Sequence, residues 1–134
     1  MATDAVHFDS DLPHYGTRGG VRRDPAERGR IVSPPLMWAE ALDLLLARLR
    51  PRADLRRVAA VSGSAQQHGS VYWARGAGAA LAALDPAGSL AAQLAGAFVA
   101  PESPVWMDSS SAAQCREVEA AMGGPLRLAA LTGC

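Results

Sequence analysis

VAAVSGSAQQHGSVYW, residues Val58 to Trp73, is the stretch on which the fold of this chain turns. It opens with a short apolar run, breaks at Ser62, Gly63 and Ser64, and carries Gln67 and His68 through a loop. It then returns to apolar and aromatic residues at Val71, Tyr72 and Trp73. A short apolar run bounded by turn residues reads as a buried strand. Leu55–Ser62 is therefore expected as a buried strand, and Ser70–Trp73 as a shorter one. Open α/β sheets bind ligands at the carboxyl ends of their strands, which is where Gln67 and His68 would fall. Gln brings an amide donor and acceptor, and a neutral His one ring nitrogen of each kind. The pair suits a polyhydroxylated ligand and is a poor design for a lipid or a bare metal. A lone His is more often a hydrogen-bonded structural residue. The neighbouring Gln67 and the bracketing Gly63 and Gly69, which permit close approach and positive φ, favour a ligand role for His68. His7 and His14 lack that setting and read as surface or loop residues. No Cys or carboxylate stands near His68 at ligand spacing, so zinc is disfavoured.

Upstream, Pro34-Pro35 opens a helix over Pro35–Arg50, with Ser33 as the expected cap and a Pro well placed in the first turn. Trp38, Leu42, Leu45 and Leu49 share a stripe widened by Ala41 and Leu46. Arg48 and Arg50 complement the macrodipole, and Pro51 stops the run. Trp38 reads as a packing residue. Asp9–Pro35 is rich in Gly, Pro, Asp and Arg without a sustained period, and reads as a long loop, while Val6–Phe8 reads as a strand end. Asp24 and Glu27 interrupt the loop's Arg residues and no aromatic alternates with them, which favours a solvated loop over a nucleic-acid patch.

Downstream, Ala77–Leu84 and Leu90–Phe98 read as short helices split by Asp85-Pro86. Val105–Met107 reads as a brief extended piece. Ser111–Met122 is a helix capped from Ser109–Ser111, ended by Gly123-Gly124, and Pro125–Leu131 is a last short helix. Strands alternating with helices indicate an α/β architecture. The second candidate site element is Trp106-Met107-Asp108. An indole can cover the C–H face of a sugar while its N–H binds a hydroxyl, and a carboxylate can accept from two neighbouring hydroxyls. The competing reading packs Trp106 in the core and uses Asp108 as a helix cap.

The chain has 134 residues, 49% hydrophobic and 19% charged, with zero formal net charge. That describes one folded domain with a modest core. Zero net charge argues against a general grip on nucleic acid or anionic membrane. All 13 basic residues are Arg. With no Lys, neither a phosphate-cradling nor a Schiff-base lysine is available. Cys115 and Cys134 lack metal spacing and read as reduced thiols of a cytoplasmic protein. No signal core or membrane-spanning run is evident. The G-x-S-x-G spacing is not met around Ser64, and Gly16–Gly20 is no P-loop.

QQHGSVYW, together with PVWMDSSSAAQC at Pro104–Cys115 and VHFDSDLPHYGTRGGV at Val6–Val21, resembles the xylulokinase branch of the FGGY carbohydrate kinases, from about Val6 to the last residue. The resemblance implies part of a ribonuclease-H-like (actin-like ATPase) amino-terminal domain, a mixed sheet with flanking helices, truncated at both ends. In those terms residues 1–8 end a strand, 9–35 form a loop leading toward the sugar cleft, and 36–134 are the α/β portion with the sugar-binding loops. It further implies that Gln67, His68, Trp106 and Asp108 bind D-xylulose, the tryptophan loop facing the Gln-His loop across the sugar. ATP and Mg²⁺ would serve the complete enzyme, with none bound by residues of this chain. No catalytic residue is assigned, because the phosphate hairpin and catalytic Asp of the family have no counterpart here. The expected partners are a ketose and the remainder of the kinase or a complementing chain, with no nucleic acid and no membrane. The alternative is a non-catalytic sugar-binding or interaction protein derived from a kinase gene. Strand neighbours would be lacking for Leu55, Val58 and Val61, so the isolated chain is expected to be marginally stable.

Overall fold

The carboxylate of Asp9 gathers a segment whose composition looks unstructured. It accepts hydrogen bonds from the Thr17 hydroxyl at 2.8 Å and from the N–H groups of Gly19 at 2.5 Å and Gly20 at 3.1 Å. The Gly19 amide, then the Thr17 hydroxyl and the Gly20 amide, hold the Asp9 carboxyl below its usual range, because donors favour the ionised form. In this computed structural model, which describes residues 2–133, helix α1 (Phe8–Asp11) and a 3₁₀ turn (Pro13–Tyr15) wrap that knot. The expected strand end at Val6–Phe8 is not formed. Residues 2–7 are irregular, and no described strand lies beside them to take up their backbone hydrogen bonds.

The expected loop at residues 9–35 instead carries two of the three described strands. Strand β1 (Arg22–Arg23) pairs antiparallel with β2 (Ile31–Ser33), with Arg22 opposite Val32. Strand β3 (Ser103–Pro104) pairs antiparallel on the other side of β2, with Ser33 opposite Ser103. The described sheet is thus antiparallel, in the order β1-β2-β3, where a mixed sheet was expected. The α/β class stands. The hairpin closes because Asp24 accepts from the N–H of Ala26 and donates its own N–H to the Arg30 carbonyl, a local side-chain turn of the kind Asp favours.

Helix α2 (Pro35–Leu49) follows the expected bounds within a residue, with Arg50 at its end. Ser33 does not cap it. The cap position is Pro34, and the buried Ser33 hydroxyl donates to the Gly20 carbonyl at 2.8 Å. The packed face also differs from the apolar stripe. Met37 and Ala39 are buried, whereas Leu42 and Leu46 remain 45% exposed. Helix α2 packs on α4 (Leu90–Gln93), and Ala39 joins Ala77, Leu94 and Ala97 in a small cluster flanked by Leu36, Leu84, Leu90 and Phe98. Ala77 opens α3 (Ala77–Ala82). A cluster so rich in alanine removes little apolar area from water and contributes accordingly little.

The largest departure is at Leu55–Ser62. Leu55–Arg57 is a 3₁₀ turn capped by Asp54, and residues 58–70 run without regular structure. Val61 is 90% exposed. The reason is backbone accounting: a strand needs neighbours for its N–H and C=O groups, and the sheet edge this segment meets, β3, is two residues long and includes Pro104, which has no N–H to give. The segment reaches the sheet once, where the Ser70 N–H donates to the Pro104 carbonyl at 3.2 Å. The expected strand Ser70–Trp73 reduces to a single bridge, Trp73 with Phe98, whose tilted rings lie 4.8 Å apart.

Helix α4 ends sooner than expected, at Gln93, and is capped by the Ser89 hydroxyl. Helices α5 (Ala112–Ala121) and α6 (Pro125–Thr132) lie close to their expected ranges, with Gly123-Gly124 between them. Ser111 sits at the cap of α5 but makes no side-chain cap bond. Cys115 on α5 is exposed and free; Cys134 and Met1 lie outside the described residues. Among the described residues, no helix is long and apolar enough to cross a membrane.

Candidate functional site

The glycine-bracketed loop meets the tryptophan turn. Ala65, Gln66, Gln67, His68 and Trp106 line one open cavity of about 510 Å³. Ser70, hydrogen-bonded to Pro104, brings the first segment alongside β3, and β3 delivers the chain directly into Trp106. Gly63 and Gly69 would permit positive φ but do not adopt it. It occurs instead at His68, with φ 62°. A non-glycine residue in that region costs about 1–3 kcal/mol, and such residues cluster at ligand sites. The side chains of Gln66, Gln67 and His68 are exposed and make no hydrogen bond among the described residues. Their donors and acceptors are open to a ligand. Gln66 was not singled out in the sequence; the doubled glutamine was the only signal for it.

Val105 donates its N–H to the Ile31 carbonyl at 3.3 Å, and Asp108 donates its N–H to the Val105 carbonyl at 2.8 Å. These bonds fold residues 105–108 into a turn, so the extended piece expected at Val105–Met107 lies earlier, at β3. Trp106 sits at the turn's crest, 56% exposed, which removes the packed-core reading of this indole.

The Asp108 carboxylate is engaged by the hairpin and by Ser110. One carboxylate oxygen accepts from the Ile31 N–H at 2.7 Å; the other accepts from the Ser110 N–H at 3.1 Å and hydroxyl at 2.7 Å. Burial pushes its pKa up, but the hydrogen bonds from Ser110 and Ile31 and the nearby Arg30 charge together carry it below the usual value. It does not cap α5 and does not line the cavity. Of the four sequence-expected residues, the structure brings Gln67, His68 and Trp106 together around the cavity, and Asp108 is not in its lining.

Chemically, the cavity lining combines amide and imidazole hydrogen-bonding groups with an indole ring. That is a surface for hydroxyls and C–H faces. The chain has no Lys, and among the described residues no three His, Cys, Asp or Glu side chains converge to hold a metal.

No family model matches the chain. Curated proteins do. It is 55% identical to "Xylulose kinase 2" of Arabidopsis thaliana over 134 residues, 99% of this chain and 24% of the relative. It is 50% identical to "Xylulose kinase" of Mus musculus over 131 residues, 97% of this chain and 24% of the relative. It is 43% identical to "Xylulose kinase" of Schizosaccharomyces pombe over 129 residues, 96% of this chain and 22% of the relative. Proteins named xylulose kinase therefore match nearly all of the chain, and the chain spans about a quarter of their length.

Proposed function

We propose that this chain is the sugar-recognition segment of an ATP-dependent xylulokinase that converts D-xylulose to D-xylulose 5-phosphate. The observation that carries the reading is the meeting of Gln67 and His68 with Trp106 around one open cavity, in a chain matched almost end to end by xylulose kinases. In this reading the indole lies along the C–H face of the ketose. Gln67 and His68 bond its hydroxyls, with Gln66 beside them, and so orient the terminal hydroxyl. The segment's part is to bind and orient; ATP and Mg²⁺ belong to portions of the enzyme that these residues do not supply. The finer fold we assign is part of a ribonuclease-H-like domain of the FGGY type, and the compartment is the cytoplasm.

The test replaces the matching quarter of the Arabidopsis relative with this chain and assays the chimera. Phosphorylation of D-xylulose is expected. His68→Ala in the chimera should raise KM for D-xylulose on the order of tenfold, the worth of one ligand hydrogen bond, and leave KM for ATP unchanged. Equal effects on both KM values would remove His68 from the sugar site.

A further inference from the structure

The turn that presents Trp106 is latched to the β1–β2 hairpin by bonds that have no evident purpose in folding the turn itself. The Asp108 carboxylate takes the Ile31 N–H at 2.7 Å. The Ser109 N–H donates to the Gly29 carbonyl at 2.9 Å. Gly29 is packed so closely that a β-carbon there would lie 2.6 Å from the Ser109 hydroxyl oxygen, and its φ is 88°. On the near side of the turn, Glu102 pairs with Arg22 at 3.1 Å and with Arg30 at 3.1 Å, one residue from each strand end of the hairpin. Two carboxylates thus bracket the sequence Ser103–Met107, one before it and one after it, and both hold the same hairpin.

Resting on the sugar-site reading above, we propose that Asp108 is a positioning residue: it sets the pose of the Trp106 indole over the Gln67-His68 loop and does not itself touch the sugar. Both its oxygens are already engaged by Ile31 and Ser110, and it is absent from the cavity wall. A carboxylate suits the task because one group accepts from two directions at once, the hairpin amide and the serine. Asparagine would keep one acceptor and turn a donor on the other amide. Glu102 serves the same latch from the other end.

The experiment is a double-mutant cycle in the chimeric enzyme, with KM for D-xylulose as the readout. Trp106→Ala should raise that KM, and Asp108→Ala should raise it by a similar factor, on the order of tenfold, with KM for ATP unchanged. The double variant should be no worse than Trp106→Ala alone, because a residue acting only through the indole has nothing left to do once the indole is gone. Multiplying effects would mean that Asp108 contacts the sugar directly, and would overturn the inference while leaving the sugar site intact. No effect of Trp106→Ala would remove the sugar site and the inference together. Glu102→Gln, which keeps an acceptor and spares the turn, guards against misfolding of the Asp108 variant. It should raise the sugar KM less than Asp108→Ala, and an effect confined to kcat would count against the latch.

Discussion

Gly20 turns the backbone through a φ of 75°, and the Phe8 ring closes over its α-carbon. A β-carbon at that point would lie 2.8 Å from Phe8 Cδ2. The same residue gives its N–H to Asp9 and its carbonyl to the Ser33 hydroxyl. Gly20→Ala would strain the backbone and push away the ring that covers it. We expect a loss of more than about 1 kcal/mol, read as a lower denaturant midpoint with unchanged slope; an unchanged midpoint would mean that the knot is not part of the stable structure. The glycine pair at this position is visible in the sequence, but its partners are not. Nothing local says that Asp9 reaches eleven residues ahead to Gly20, or that Ser33 turns back to it instead of capping the helix it precedes. The same limit explains His68, where the positive φ fell on the histidine and not on its glycine neighbours.

At the scale of elements, α1 is tied to α2 by one ion pair. Arg48 donates to the two Asp11 oxygens at 2.9 and 3.1 Å, and to the Ala5 carbonyl at 2.6 Å. The guanidinium is the largest of the influences that lower Asp11 from 3.8 to about 2. A carboxyl depressed on folding stabilises the folded form above its unfolded value and stops doing so as pH falls through the folded one. The tie should therefore weaken between about 3.8 and about 2. Amide exchange at Asp11 and Leu12, whose N–H groups bond His7 and Phe8, would register this as lost protection over that interval. In Arg48→Met the loss should move up toward 3.8, the ordinary value. An identical profile in both proteins would show that Arg48 does not set the Asp11 titration. Helix α2 itself was legible, since Pro35 and the i, i+3, i+4 apolar spacing are local signals. Which of its faces is covered was not, because that depends on where α4 and the sheet approach it.

Over the whole molecule, much apolar surface stays in water. Val61 is 90% exposed, Leu126 87%, Val99 70% and Leu131 62%, while the buried cluster is built largely from alanine. Burying one large aliphatic side chain is worth about 1.5–3 kcal/mol, against a typical domain stability of about 5–15 kcal/mol. A few such side chains left open consume most of that margin. The isolated chain should unfold over a broad thermal range or aggregate, with helicity at Pro35–Leu49 persisting longest in circular dichroism. A single sharp cooperative transition in the monomer would contradict this.

What the sequence determined by itself was local: α2, α5 and α6 to within a few residues, the glycine and proline boundaries, and the Gln-His loop and tryptophan turn as chemically distinctive. Helical hydrogen bonds span four residues and turn residues act on their own backbone, so these features are written in short windows. The tertiary structure alone decided that Val58–Ser62 has no strand partner among the described residues, that the Asp9 and Asp108 carboxylates hold backbone amides, and that Gln67, His68 and Trp106 share a cavity. Strand pairing, carboxylate bridges and cavity walls join residues far apart in the chain, and no window of sequence contains both halves.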